Sequence, residues 1–266
     1  MPGETHAGAG PASQLPDPVD ELRASFEALA ARQARPAVTL TYAQTLDGSI
    51  AVRPDEPLGI SGPETKHLTH RLRAVHDGIL VGVGTVLADD PKLTARRVGG
   101  PHPRPVILDS RLRTPRSARV LRHPKGALLV AAADADPSRA AALEAAGAQV
   151  LRVPRGPAGV DLTAALAALY ALGLRSLMVE GGARVLASFL RARLGDWLLV
   201  TLAPYLVGGV PVLADLATAE PRSPSDLAAF PRLEEARWRA YGRDWVVWGR
   251  LAWPPRRAPA SPEVSP

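Results

Sequence analysis

Short apolar runs bounded by turn residues alternate along this chain with segments whose apolar positions recur every three or four residues. The first pattern predicts strands buried on both faces, the second helices with one apolar stripe. Strands are predicted over 38–43, 79–83, 105–109, 127–132, 149–153, 176–180 and 197–203. Asp17-Pro18 reads as an N-cap and first helical residue, and Val19, Leu22, Phe26 and Leu29 form one stripe, so 18–34 is a docking helix. Ser61-Gly62-Pro63-Glu64 looks like a capping box opening a helix whose inner face is Leu68, Leu72 and Val75. Further helices are predicted over 137–147, 161–173 and 183–194, the second capped by Asp161. Residues 238–241 and 245–251 form a hairpin through Gly242-Arg243-Asp244. Regular β–α alternation predicts an α/β fold with a mainly parallel sheet, helices on both faces, and an antiparallel hairpin at one edge. A Gly/Pro/Ala-rich disordered tail (1–16), an N-terminal helix (17–35), one domain (36–252) and a Pro-rich tail (253–266) complete the organisation.

Composition narrows the function classes. The chain has no cysteine, which excludes disulfides, thiolate nucleophiles and cysteine-held metals. His67 and His70 stand three apart on a helix with no third ligand in sight, so no metal site is expected. No apolar run reaches the ~18 residues of a membrane span, and the N-terminus lacks the pattern of a secretory signal. A cytoplasmic protein is therefore expected. Lys+Arg 32 against Asp+Glu 26 gives a net charge of +6. The excess is scattered arginine without interleaved aromatics, which favours an anionic small molecule over nucleic acid.

Chemistry concentrates in three places. The 79–83 strand breaks into Gly82-Val83-Gly84-Thr85 and then Asp89-Asp90-Pro91-Lys92-Leu93-Thr94, the look of a strand ending at a ligand-facing loop. Glu180-Gly181-Gly182-Ala183-Arg184 joins a strand to a helix, where consecutive backbone N–H groups make a phosphate site. A carboxylate such as Glu180 at a strand end is costly unless it binds something. The third place is the Leu46-Asp47-Gly48 turn. No Gly-x-Gly-x-x-Gly is present, so a Rossmann reading fails.

Together these segments resemble the reductase domain of the riboflavin-biosynthesis deaminase–reductases, from about Pro36 to Leu251. The resemblance implies a dihydrofolate-reductase-like fold, self-association as a homodimer, and NADPH-dependent reduction. The reaction would carry 5-amino-6-(5-phosphoribosylamino)uracil to its ribitylamino product by hydride transfer to C1′ of the opened ribose. It places Ala43, Gly59, Thr85, Asp89, Ser110, Gly181, Gly182, Ala183 and Arg184 at the cofactor. Arg73, Leu93, Arg96 and Glu180 fall at the phosphorylated pyrimidine substrate. Two arginines suit a phosphate because each presents paired donors, and Lys92 is an extra cation. Glu180, then Asp47, are the titratable candidates for catalysis. Cations in the loop from Ser110 to Pro115 suit the 2′-phosphate that distinguishes NADPH. The chain departs from the family where Pro57 replaces a substrate-touching serine and Gly59 an aromatic residue. That keeps open a pterin, folate-like or secondary-metabolite substrate on the same fold, and a degraded binding scaffold as a different class. The zinc deaminase half of the bifunctional relatives needs cysteines, so reduction without deamination is expected of this chain.

Overall fold

The computed structural model describes residues 15–53, 56–157, 159–213 and 230–255, without the side chains of Glu56 and Pro57. The tails predicted to be disordered fall mostly outside the described residues. In chain order the strands are β1 (Ala37–Thr45), β2 (Ser49–Arg53), β3 (Glu56–Pro57), β4 (Gly78–Gly82), β5 (Arg104–Leu108), β6 (Ala127–Ala132), β7 (Ala148–Val153), β8 (Ser176–Val179), β9 (Trp197–Ala203), β10 (Val210–Pro211), β11 (Arg232–Tyr241) and β12 (Asp244–Ala252). The helices are α1 (Pro18–Gln33), α2 (Pro63–Val75), α3 (Val83–Asp89), α4 (Pro137–Glu144), α5 (Leu162–Ala171) and α6 (Ala183–Ala192).

The apolar runs build the centre of a nine-stranded sheet of order β11-β12-β9-β1-β8-β4-β5-β6-β7. From β9 to β7 every neighbour pair is parallel, and β12 and β11 close one edge antiparallel. The α/β class with a mixed, mainly parallel sheet is thus the one the alternation predicts. Side chains alternate across the sheet. Met178, Trp197, Leu199, Val246 and Trp248 meet the stripe of α1 and Leu68 and Leu72 of α2. On the opposite face, Leu40, Leu80, Val106, Leu128 and Leu177 pack on Leu166 and Leu169 of α5 and Leu186 and Phe189 of α6.

This topology creates one switch point. β4 connects outward to β5, whereas its neighbour β8 connects back across β1 to β9. In such sheets the connections part at the carboxyl ends and leave a crevice there. The turns after β4 and β8, both rich in glycine, flank that crevice.

Three local readings need correction. Residues 83–89 are not an extended loop but the helix α3, whose inner positions Val83 and Val86 are spaced for one turn. A small second sheet, order β10-β2-β3, goes unpredicted because its strands are too short to show a period. Ser61 does not cap α2. The N-cap is Gly62, and the acceptor comes from the hairpin: Asp244 Oδ2 takes the Gly62 N–H at 2.7 Å and the Thr65 hydroxyl at 2.5 Å. Asp244 is fully buried, so it ties the sheet edge to the start of α2. Asp244→Ala should cost about 1–3 kcal/mol, the range for losing a cap and stranding buried donors. Urea unfolding checks this, and a change within error would mean the cap is dispensable. Among the described residues no helix is long and apolar enough to cross a membrane, and no group of three or more His, Asp and Glu could hold a metal.

Candidate active site

The crevice at the switch point has Glu180 and the start of α6 on the β8 side and the start of α3 on the β4 side. β8 ends at Val179, Glu180 donates its backbone N–H to the Leu80 carbonyl at 3.0 Å, and Gly182 is the N-cap of α6. Gly82 plays the same part for α3. Neither helix has a side-chain cap, and a Cβ on Gly182 or Gly84 would meet nothing within 4 Å. There is thus open space beside Gly182 at the start of α6, where the positive helix-end potential fits an anionic group. Ala183 is half-buried and Arg184 exposed in that first turn. Thr85 lies half-buried in the first turn of α3 and Asp89 is exposed at its end.

Arg73 and Glu180, 107 residues apart in sequence, form a two-pronged ion pair across the crevice. Arg73 Nε donates to Glu180 Oε1 at 2.7 Å and Nη2 to Oε2 at 2.5 Å, while Nη1 donates to the Thr94 carbonyl at 3.1 Å. The side chains are 14% and 18% exposed, so the pair is sheltered yet reachable. Burial works against the Arg73 charge, but the Glu180 carboxylate outweighs it and the pKa rises. The fork uses both carboxylate oxygens and two guanidinium nitrogens, and the third nitrogen holds the Thr94 carbonyl. Arg73 thus holds Glu180 and the 93–96 loop together, and Arg96 stands exposed two residues beyond Thr94. Lys92 is also exposed.

Leu93, placed at the substrate by the resemblance, lies next to Thr94 in the chain. It is 3% exposed, packed with Val81, Val83, Val86 and Ile107, and has a left-handed backbone (φ 51°) that turns the chain toward Thr94. His70, one turn before Arg73, was not predicted for the site. It is 5% exposed with its Nδ1 unpartnered, and burial, then Arg73 and Arg96, lower its pKa to about 4.

Asp47 is a hub for two loops. Its carboxylate accepts from the Thr45 hydroxyl, the Ser49 hydroxyl at 3.1 Å, and the backbone N–H groups of Val207 (3.1 Å) and Gly208 (2.5 Å). The Thr45 bond, then that of Gly208, hold its pKa far below the usual carboxylate range. A carboxylate so held is an acceptor at neutral pH, which argues against Asp47 as a proton donor. Ala43 is half-buried near the end of β1, paired with Thr201 of β9. Gly59 is exposed with open space around it, and Pro57 lies in β3.

A second recess of about 240 Å³ lies beyond the carboxyl ends of β5, β6 and β7, lined by Ser110, Arg111, Asp134, Ala135, Asp136, Arg139 and Arg155. Arg155 pairs with Asp134 at 2.8 Å and Arg139 with Asp136 at 3.9 Å. The loop is anchored by fully buried Asp109, whose Oδ2 accepts from the Thr114 N–H and hydroxyl, both at 2.7 Å. That anchor, like His70, escaped prediction, because it reads as the end of a strand. A larger recess of about 370 Å³ between α2 and Tyr241 contains no predicted site residue.

With this geometry in view, residues 36–247 match the RibD C-terminal domain family. The chain belongs to that family. It is 38% identical over 217 residues to the 2,5-diamino-6-ribosylamino-4(3H)-pyrimidinone 5′-phosphate reductase of Methanothermobacter thermautotrophicus, covering 80% of this chain and 97% of that one. To the enzyme of the same name from Debaryomyces hansenii it is 40% identical over 195 residues, covering 65% and 77%. Among solved structures, the riboflavin biosynthesis reductase Rib7 of Saccharomyces cerevisiae superposes with a TM-score of 0.63 at 28% identity, over 89% of this chain and all of that one. Acinetobacter baumannii RibD superposes with a TM-score of 0.70 at 23% identity, over 84% of this chain. This chain spans 60% of that protein's length. Relatives of this family are named as reductases, so an oxidoreductase is supported.

Proposed function

We propose that this RibD-family chain is an NADPH-dependent reductase of a ribosylaminopyrimidine 5′-phosphate. The Arg73–Glu180 fork carries the reading, because it sets a hydrogen-bonding carboxylate at the switch point beside the uncapped start of α6. The substrate would react with its ribose opened to an imine: C1′ gains a hydride, the exocyclic nitrogen a proton, and the C=N bond becomes single. The reduced nicotinamide supplies that hydride when bound.

The residues fit such a cofactor. The first-turn N–H groups of α6, from Gly182 to Arg184, would take the pyrophosphate; Thr85 and Asp89 would line its path. Ser110 and Arg111 border the recess where a 2′-phosphate finds cations. The neighbouring Arg139 and Arg155 are already paired with Asp136 and Asp134, which leaves Arg111 as the residue to test for preference over NADH. Glu180 would accept from a ribose hydroxyl and orient C1′, and Arg96 would meet the substrate's phosphate with Lys92 nearby. With Asp47 held ionised and Glu180 in a fork, water is the better proton donor to the nitrogen.

The sequence reading puts the aminouracil first. The names carried by the stand-alone relatives favour the 2,5-diamino ring instead. Pro57 and Gly59, where the family has serine and an aromatic residue, support a second reading: a different pyrimidine-like ring on the same fold. The purified protein is mixed with NADPH and each ribosylaminopyrimidine phosphate in turn, and the reduced-nicotinamide absorbance followed. Faster oxidation with the diamino compound supports the proposal. NADPH binding without turnover of either compound favours the second reading, and no NADPH binding sinks both. Light scattering on the same sample checks the homodimer.

A further inference from the structure

One side chain fills the space that two glycines vacate on opposite sides of the switch point. Val185 lies in the first turn of α6, half-buried against the sheet core. A Cβ on Gly82, at the end of β4, would come within 2.8 Å of Val185 Cγ2. On Gly181, after β8, it would stand 2.5 Å from Val185 Cβ and 2.7 Å from Cγ1. Real Cβ atoms essentially never approach that closely, so neither turn admits a side chain while Val185 is present. Both glycines have ordinary negative or extended backbone angles, since neither is among the residues with positive φ. Conformational freedom therefore does not explain them; contact with Val185 does.

We propose that Val185 is a positioning residue: a wedge that sets the separation of the Gly82 and Gly181 turns, and with it the aim of the α6 N–H groups at the cofactor's pyrophosphate. This rests on the reading that the α6 turn holds NADPH. Valine suits the task because a β-branched side chain in a helix has one strongly preferred χ1, so the wedge is stiff. Gly182, one residue on, has open space and stays free for the ligand. The crevice is thus closed behind by Val185 and open in front.

The test is a mutant cycle read by NADPH affinity, KM for NADPH, kcat and thermal unfolding. Val185→Ala should weaken NADPH binding about tenfold, with kcat changed far less, since displacement of a binding turn is felt in orientation and affinity. Val185→Ile keeps the branched shape and the single preferred χ1 and should bind NADPH with near-normal affinity. Gly181→Ala should lose affinity more severely, and Gly181→Ala/Val185→Ala should recover part of that loss, the non-additivity expected of touching residues. A folded Val185→Ala protein with unchanged affinity would overturn the wedge. So would a double variant no better than Gly181→Ala, with thermal unfolding showing both folded. If the unaltered protein binds no NADPH, the functional reading fails and the wedge's role falls with it. Binding by the unaltered protein with no effect of the variants removes the wedge alone.

Discussion

Arg73→Ala is expected to lower kcat/KM by about 100-fold or more, the scale on which misplacing a reacting group by an ångström acts. The change removes both donors to Glu180 and the donor to the Thr94 carbonyl. Glu180 is then an unpaired carboxylate at a strand end, free to swing, and the loop leading to Arg96 loses its tether. The stability cost should be about 1–3 kcal/mol, below the ~3–5 of a fully buried pair, because both groups keep some contact with water. Arg73→Lys keeps the charge but offers one ammonium where two carboxylate oxygens and a carbonyl need donors, so most of the activity loss should persist. The double variant Arg73→Leu/Glu180→Leu separates the roles. It should recover stability, since two apolar groups replace the pair, and remain inactive. Steady-state oxidation of NADPH and urea unfolding read the two effects. An Arg73→Ala enzyme with near-normal turnover would take the fork out of the mechanism.

The parts of this fold legible from the chain are those set by local rules. The central strands appear as apolar runs because both faces are covered, and Asp17 and Asp161 announce their helices because each caps with its own side chain. What escaped depends on contacts distant in sequence. Asp244 reads as a hairpin turn residue, and nothing local shows that it caps α2 from 182 residues away. α3 was hidden because glycines and a polar end mask a short helix with only two inward positions. In the candidate site, Arg73, Glu180 and the Gly181-Gly182 turn were visible as residues, but their joining was not. The left-handed backbone of Leu93 is likewise invisible in sequence. Gly181 and Gly182 were read together as backbone N–H groups of a phosphate site. Gly181 is occupied from behind by Val185, and only Gly182 faces open space.

Stability is expected to fall as pH drops from about 6.5 toward 4, before the carboxylates protonate. Burial lowers the pKa of His70, His76 and His123 to about 4 each, from an ordinary 6.5. His76 is the strongest case. Its Nδ1 lies 2.7 Å from the Leu72 carbonyl, which can only accept, so the proton is assigned there. Nε2 then accepts from the Thr39 hydroxyl at 2.9 Å. The ring is enclosed against Phe26, centroids 4.6 Å apart, and burial opposes a charge there more than the Leu72 carbonyl and the Asp77 and Glu180 carboxylates favour it. An unfolded chain takes up protons on these rings once pH falls below about 6.5, while the folded protein resists until about 4. In that window the unfolded state binds more protons, so stability declines as pH falls. His76 accounts for about 3 kcal/mol at most, and His70 and His123 act in the same direction over the same window. Urea midpoints should therefore drop between pH 6.5 and 4.5, and His76→Gln should flatten that slope while lowering stability at neutral pH. Asp47, Asp134 and Asp136 have pKa values already below the usual carboxylate range. Their stabilisation is lost only at still lower pH, so a decline that begins at or below about pH 4 would assign acid sensitivity to them and leave the buried rings without a role.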